Sequence, residues 1–139
     1  MYAVLGASGH VGSAVVEALR TAGEDLVAVV RSSTGAILHR LDVEIRVIDV
    51  LDTDGLRNIF KEAQRAFLLN PPADPSVDTD AAEMATAKSI AEALSGTEME
   101  KVVLASTYGA QPGERIGDLS VLYAFETMVR DSGIPTAVN

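Results

Sequence analysis

Apolar positions along the chain alternate between two patterns. Short apolar runs occupy residues 2–5 and 26–30, and two more follow Arg65 and Lys101 in 65–69 and 101–105. Between them lie longer stretches whose apolar residues recur three and four positions apart, the period of a helix with one buried side. In residues 11–22 the stripe is Val11, Val15, Ala18, Leu19 and Ala22, with Glu17 and Arg20 opposite. In 53–63 it is Leu56, Ile59, Phe60 and Ala63, and Asp52 stands where a capping carboxylate belongs. Residues 79–94 form a long alanine-rich helix. Residues 118–131 form another, with Leu122, Phe125, Met128 and Val129 on one side. A shorter helix is expected over 34–41. Gly23, Gly96 and Gly133 follow three of these stretches as stop signals. Residues 26–30 are apolar without a break, as in a parallel strand covered on both faces. Residues 44–48 alternate, Arg46 separating Ile45 from Val47, which places that strand nearer an edge. A sixth strand is expected over 135–138. Strictly alternating strands and helices predict an α/β domain: a doubly wound parallel sheet of about six strands with helices on both faces.

The turn after the first strand carries the chemistry. It reads Gly6-Ala7-Ser8-Gly9-His10-Val11-Gly12 and leads directly into the first helix. Strand, glycine turn and helix is the context in which a glycine motif binds a dinucleotide. Gly6 permits the sharp turn, Gly9 lets a diphosphate approach the backbone, and Gly12 lets the helix pack closely. The unpaired N–H groups and positive end of that helix then face the phosphates. The spacing is G-x-x-G-x-x-G rather than G-x-G-x-x-G. The strand order expected for such a sheet is 3-2-1-4-5-6.

Composition narrows the picture. The 139 residues suit one domain, and 47% hydrophobic content with only 4% aromatics predicts a core of Ala, Val, Leu and Ile. A net charge of −9, with eleven scattered Lys and Arg, argues against direct nucleic-acid binding. An anionic ligand must therefore be held by backbone groups and individual arginines. There is no cysteine, and His10 and His39 are the only histidines, so neither a thiol nucleophile nor a metal site is expected. No basic leader precedes the first strand, and no apolar run approaches the ~20 residues that span a bilayer. A cytoplasmic location without membrane contact is the expectation.

The residues at the strand ends bear on which nucleotide is bound. An acidic residue after the second strand would accept from the ribose hydroxyls of NAD. This chain has Arg31, whose guanidinium can grip a 2′-phosphate, and Ser32 adds a hydroxyl beside it. His10 can approach the same phosphate. The alternative for Arg31 is an exposed strand-end arginine, and for His10 a loop histidine without a ligand. Asp49 can accept from an adenine amino group, or serve only as a loop aspartate. Asn70 and Pro71, after the fourth strand, fall where the nicotinamide ribose and diphosphate would pass, at the carboxyl edge where open α/β sheets bind ligands. NADP(H) is thus the preferred cofactor, with NAD(H) left open.

The glycine turn, Val30-Arg31, the run Phe67-Leu68-Leu69-Asn70-Pro71-Pro72, residues Val103 to Ala110 and Ser132-Gly133-Ile134-Pro135-Thr136 together resemble the NmrA-like group of atypical short-chain dehydrogenases/reductases. That group includes NAD(P)H-dependent quinone reductases, isoflavone-type reductases and redox-sensing regulators. The resemblance implies a Rossmann domain binding NADP(H) through the glycine turn, Arg31, Asn70 and Pro71. It places Ser106, Thr107 and Tyr108 where nicotinamide and substrate meet, making Ser106 and Tyr108 the candidate catalytic residues. It covers only the cofactor half of the family's proteins, and the chain ends as the sixth strand begins. A truncated form lacking the C-terminal substrate-binding part is therefore expected.

One departure from the pattern matters. Ordinary short-chain dehydrogenases use Tyr-x-x-x-Lys, the lysine lowering the tyrosine pKa. Here Tyr123 is followed four residues on by Thr127, and Tyr108 by Pro112. The lysine of the isoflavone-type reductases is also missing. Tyr123 and Glu126 read as a solvated helix edge. Hydride transfer from NADPH to a quinone or small carbonyl compound remains the leading expectation, because a quinone needs mainly positioning. The rivals are a non-catalytic NADP(H) sensor with a protein partner and an epimerase-like relative. A homodimer is also compatible with the chain.

Overall fold

The computed structural model describes residues 1–31 and 42–139. The helix expected over 34–41, Ser32 and His39 lie outside the described residues. The elements run β1 (Tyr2–Leu5), α1 (His10–Thr21), β2 (Leu26–Val30), β3 (Glu44–Val47), α2 (Thr53–Glu62), β4 (Arg65–Leu68), α3 (Thr79–Ala93), β5 (Lys101–Leu104), α4 (Asp118–Asp131) and β6 (Thr136–Val138). All six strands are parallel, in the order β3-β2-β1-β4-β5-β6. This is the Rossmann-type sheet, with the order reversing on either side of β1.

Alternation along the strands divides the core in two. Ala3, Leu5, Val27, Val29, Ala66, Leu68, Val102 and Leu104 face α2, α3 and α4, where they meet Leu56, Phe60, Ile90 and Phe125. Val4, Ala28, Val30 and Phe67 face the other way, against Ala7 and Val16 of the turn and α1. Every residue of β2 is buried, as expected of a strand covered on both faces. Phe60 and Phe125 are the largest fully buried side chains, each contributing about 1.5–3 kcal/mol by leaving water.

Helix α1 buries only part of the stripe its sequence suggests: Val15 and Leu19 are half-buried against the core. Gly12 and Val16 are its buried residues, while Val11, Ala18 and Ala22 are exposed. The helix rests on the turn that precedes it, and a glycine, invisible to hydrophobic patterning, supplies the closest approach. Asp52 caps α2 as expected, accepting from the Gly55 N–H at 2.9 Å, and Asp78 does the same for α3 through the Ala81 N–H. Among the described residues no helix is long and apolar enough to cross a membrane.

Candidate functional site

The site is built at the carboxyl edge of the sheet, where the order of strands reverses. Gly6 leaves β1 with φ +66°, a conformation that L side chains rarely adopt. The Gly9 N–H donates to the Gly6 carbonyl at 2.9 Å, and the Ser13 N–H donates to the Gly9 carbonyl at 2.9 Å. Gly12 is the tightest point: a Cβ there would lie 2.1 Å from the Gly6 carbonyl oxygen. No other residue fits. The close packing expected of Gly12 is made on the backbone of the turn, at Gly6 and Ala7. Ala7, expected at the cofactor, is instead fully buried, its N–H donating to the Val29 carbonyl at 3.4 Å, and it lies in the core beneath the turn.

The start of α1 is electrostatically open. No side chain caps it and no acidic residue lies in its first turn. By contrast, α2 and α3 are capped by Asp52 and Asp78 and carry Asp54 and Asp80 in their first turns. The early N–H groups of α1 lack intrahelical acceptors and sit at the positive end of the helix dipole. They border a cavity of about 390 Å³ lined by Gly6, Ser8, Gly9, His10, Val11 and Gly12, by Arg31 after β2, and by Pro71 and Pro72. Val11, 52% exposed, is an apolar wall of this cleft rather than part of the core.

A second cavity of about 350 Å³ adjoins it, sharing Arg31, Val50, Pro71 and Pro72 and adding Asp49 and Asp74. Arg31 thus stands between the two. Asp49 accepts from the Leu51 N–H at 2.9 Å, which shapes the turn after β3. The wall opposite is fixed by α3. Asn70 donates from Nδ2 to the Glu83 carbonyl at 3.0 Å and accepts at Oδ1 from Thr86 at 2.8 Å. The Ala73 N–H donates to Glu83 Oε1 at 2.9 Å. Asn70 therefore spends its amide on anchoring the proline loop. Glu83 and Thr86 were invisible to motif reading, since their role depends on a contact thirteen and sixteen residues away.

Farther along the edge, Ser106 donates from Oγ to Glu126 Oε1 at 2.5 Å. Glu126 is not on a solvated edge: its side chain is 12% exposed, with Arg130 3.3 Å from its other oxygen. Tyr108 is fully exposed and Tyr123 is 37% exposed. The Thr127 hydroxyl donates to the Tyr123 carbonyl at 3.0 Å. Among the described residues no group of three or more His, Cys, Asp or Glu side chains could hold a metal ion.

The family model for NAD(P)H-binding proteins matches residues 6–132, from the glycine turn to the end of α4. The chain belongs to this NAD(P)H-binding family. The donors present fit the group: an uncapped helix start and a glycine cradle for a diphosphate, at the edge where the sheet order reverses. No protein of curated function matches this NAD(P)H-binding chain. Among solved structures, Citrobacter sp. triphenylmethane reductase complexed with NADP(H) is similar, with a TM-score of 0.82 at 21% identity, over 99% of this chain and 47% of that one. Escherichia coli NADPH-dependent quinone oxidoreductase complexed with NADPH gives 0.80 at 21% identity, over 99% and 47%. Thermotoga maritima UDP-glucose 4-epimerase with UDP-glucose gives 0.77 at 22% identity, over 99% and 53%. The likeness is one of fold, and the NAD(P)H-binding chain spans about half the length of these proteins.

Proposed function

We propose that the chain is the cofactor-binding half of an NADP(H)-dependent oxidoreductase of the NmrA-like type, acting on a quinone or a small carbonyl compound. The observation that carries this reading is Arg31, which follows β2 and borders both cavities. A carboxylate in that place would favour ribose hydroxyls, whereas a guanidinium favours the 2′-phosphate of NADP(H). Ser8 to Gly12 and the first N–H groups of α1 would hold the diphosphate, with His10 at its flank. Asp49 and Val50 would meet the adenine, and Pro71 and Pro72 would form the opposite wall. When bound, the nicotinamide supplies the hydride. Two of the solved relatives support the substrate class, one named as a quinone oxidoreductase and one as a triphenylmethane reductase.

Side-by-side fluorescence titrations with NADPH and NADH test the cofactor, and NADPH oxidation with a panel of quinones and aldehydes tests the activity. Tighter binding of NADPH with turnover is expected. Equal affinity for both nucleotides contradicts the role given to Arg31.

A second reading is a nucleotide sensor that signals to a protein partner without turnover. It is favoured by the absence of Tyr-x-x-x-Lys and by Tyr108 standing in solvent. A sensor binds its partner differently with NADP+ and NADPH and leaves NADPH unconsumed, which pull-down at saturating nucleotide separates from the enzyme.

A further inference from the structure

Among the described residues two polar residues are buried, Ser89 and Ser120. Ser120 closes a turn at the start of its own helix, donating to the Gly117 carbonyl at 3.0 Å. Ser89 reaches much farther. It lies on α3, and its Oγ donates to the Val50 carbonyl at 2.6 Å, across 39 residues of chain. The same Oγ lies 2.8 Å from Thr53 Oγ1, at the first residue of α2. A carbonyl only accepts, so the single proton of Ser89 goes to Val50, and Thr53 must donate to Ser89. The three groups form one directed chain, from Thr53 through Ser89 to Val50.

Val50 is where this chain meets the cleft, since it lines both cavities beside Arg31. Local bonds shape the turn around Val50: Asp49 accepts from the Leu51 N–H, and the Asp52 N–H donates to the Asp49 carbonyl, each at 2.9 Å. They do not fix its distance from the proline wall opposite. That distance is spanned by α3. Thr86, three residues before Ser89 and so on a neighbouring part of the helix surface, bonds to Asn70 at the foot of the proline wall. Glu83, three residues earlier again, holds the Ala73 N–H. Ala82 and Ala85 of the same helix line the second cavity. One helix therefore carries both walls, and Ser89 is the attachment on the Val50 side.

We propose that Ser89 is a positioning residue for the adenosine end of the cofactor, holding Val50 at the spacing from the proline wall that admits the adenine ring. The proposal rests on the NADP(H) reading. Ser89 touches no ligand itself and acts through the backbone of Val50. Alanine, the best helix former, would fill this place on α3 with no polar group to desolvate. What the hydroxyl adds is the bond to Val50.

The test compares Ser89→Ala with Thr53→Ala in titrations of NADPH and of adenosine 2′,5′-bisphosphate, which carries only the adenine end of NADPH. Ser89→Ala deletes the bond to Val50. Thr53→Ala deletes the neighbouring hydroxyl and leaves that bond in place, so it reports what lost stability alone does to binding. The net worth of one hydrogen bond corresponds to about three- to tenfold in affinity, and Ser89→Ala should weaken both ligands by about that factor, equally. Thr53→Ala should change either affinity by less than about twofold. In the wild-type chain, adenosine 2′,5′-bisphosphate should slow hydrogen exchange in residues 48–53. Unchanged affinity in a folded Ser89→Ala overturns the proposal, as do equal losses in the two variants or a loss seen with NADPH and not with the bisphosphate. Unaltered exchange in residues 48–53 of the ligand-bound wild type overturns it whether or not Ser89→Ala folds. In all of these outcomes wild-type binding leaves the NADP(H) reading standing. Failure of the wild-type chain to bind either ligand removes that reading and the proposal with it.

Discussion

Asn70 Oδ1 accepts a hydrogen bond from Thr86 Oγ1 at 2.8 Å, tying the end of β4 to the middle of α3. With the bond from Asn70 Nδ2 to the Glu83 carbonyl, it makes one wall of the cleft a rigid extension of a helix. Asn70→Ala leaves the Thr86 hydroxyl without that acceptor. It should cost about 1–3 kcal/mol of stability in chemical denaturation. The NADPH dissociation constant should rise several-fold as Pro71 and Pro72 lose their anchor. Unchanged affinity in a folded variant would show that the proline wall needs no such support.

On the proposed reading, Arg31→Asp exchanges a guanidinium that would grip a 2′-phosphate for a carboxylate that would accept from ribose hydroxyls. A hydrogen bond to a charged group is worth about 1.5–3 kcal/mol, so NADPH affinity should fall by about 10- to 100-fold. NADH affinity should hold or improve. Melting temperature should barely move, because Arg31 is exposed and outside both core clusters. Parallel losses for both nucleotides in titration would show that Arg31 does not read the 2′ position.

Gly12→Ala places a Cβ 2.1 Å from the Gly6 carbonyl oxygen, which is backbone and cannot swing aside. Overpacking of this kind costs about 1–3 kcal/mol, occasionally more. The upper end is expected in urea denaturation, together with loss of NADPH binding. Full affinity at wild-type stability would contradict the packing described.

Asp78 predicts a pH dependence. The Ala81 N–H and then the Arg115 guanidinium hold its carboxyl below the usual carboxylate range. A folded-state pKa below the unfolded one stabilises the fold above the ordinary carboxylate pKa. That contribution is lost as pH falls through the lowered value. Asp78→Asn should therefore melt below wild type near neutral pH. The gap should close as pH falls below the ordinary carboxylate pKa and through the lowered value. A gap that widens in acid would reverse the sign.

The fold was legible because its strands and helices carry different apolar periods, and glycines or aspartates mark several boundaries. Residues 26–30 and 118–131 coincide with β2 and α4, and the order of all six strands is the one expected of a sheet with such a glycine turn. The cleft was legible where its residues are local: Gly6 to Gly12 are contiguous, and Arg31 follows a recognisable strand. Part of the stripe assigned to α1 was misread because Gly12 has no hydrophobic signal and Val11 faces the cleft. Glu126 was misread because spacing on one helix says nothing about what β5 places beside it. Glu83 and Thr86 are ordinary helix residues until the proline loop folds onto them.

The contact between Gly12 and Gly6 bears on how such a chain can change. One glycine both closes the turn and shapes the proposed phosphate cradle, so substitution there would weaken ligand recognition and the fold together. Arg31 is exposed and belongs to neither core cluster. Selection for a different nucleotide is therefore free to act at the end of β2 while the glycine turn stays fixed, and preference can drift between related chains whose architecture does not.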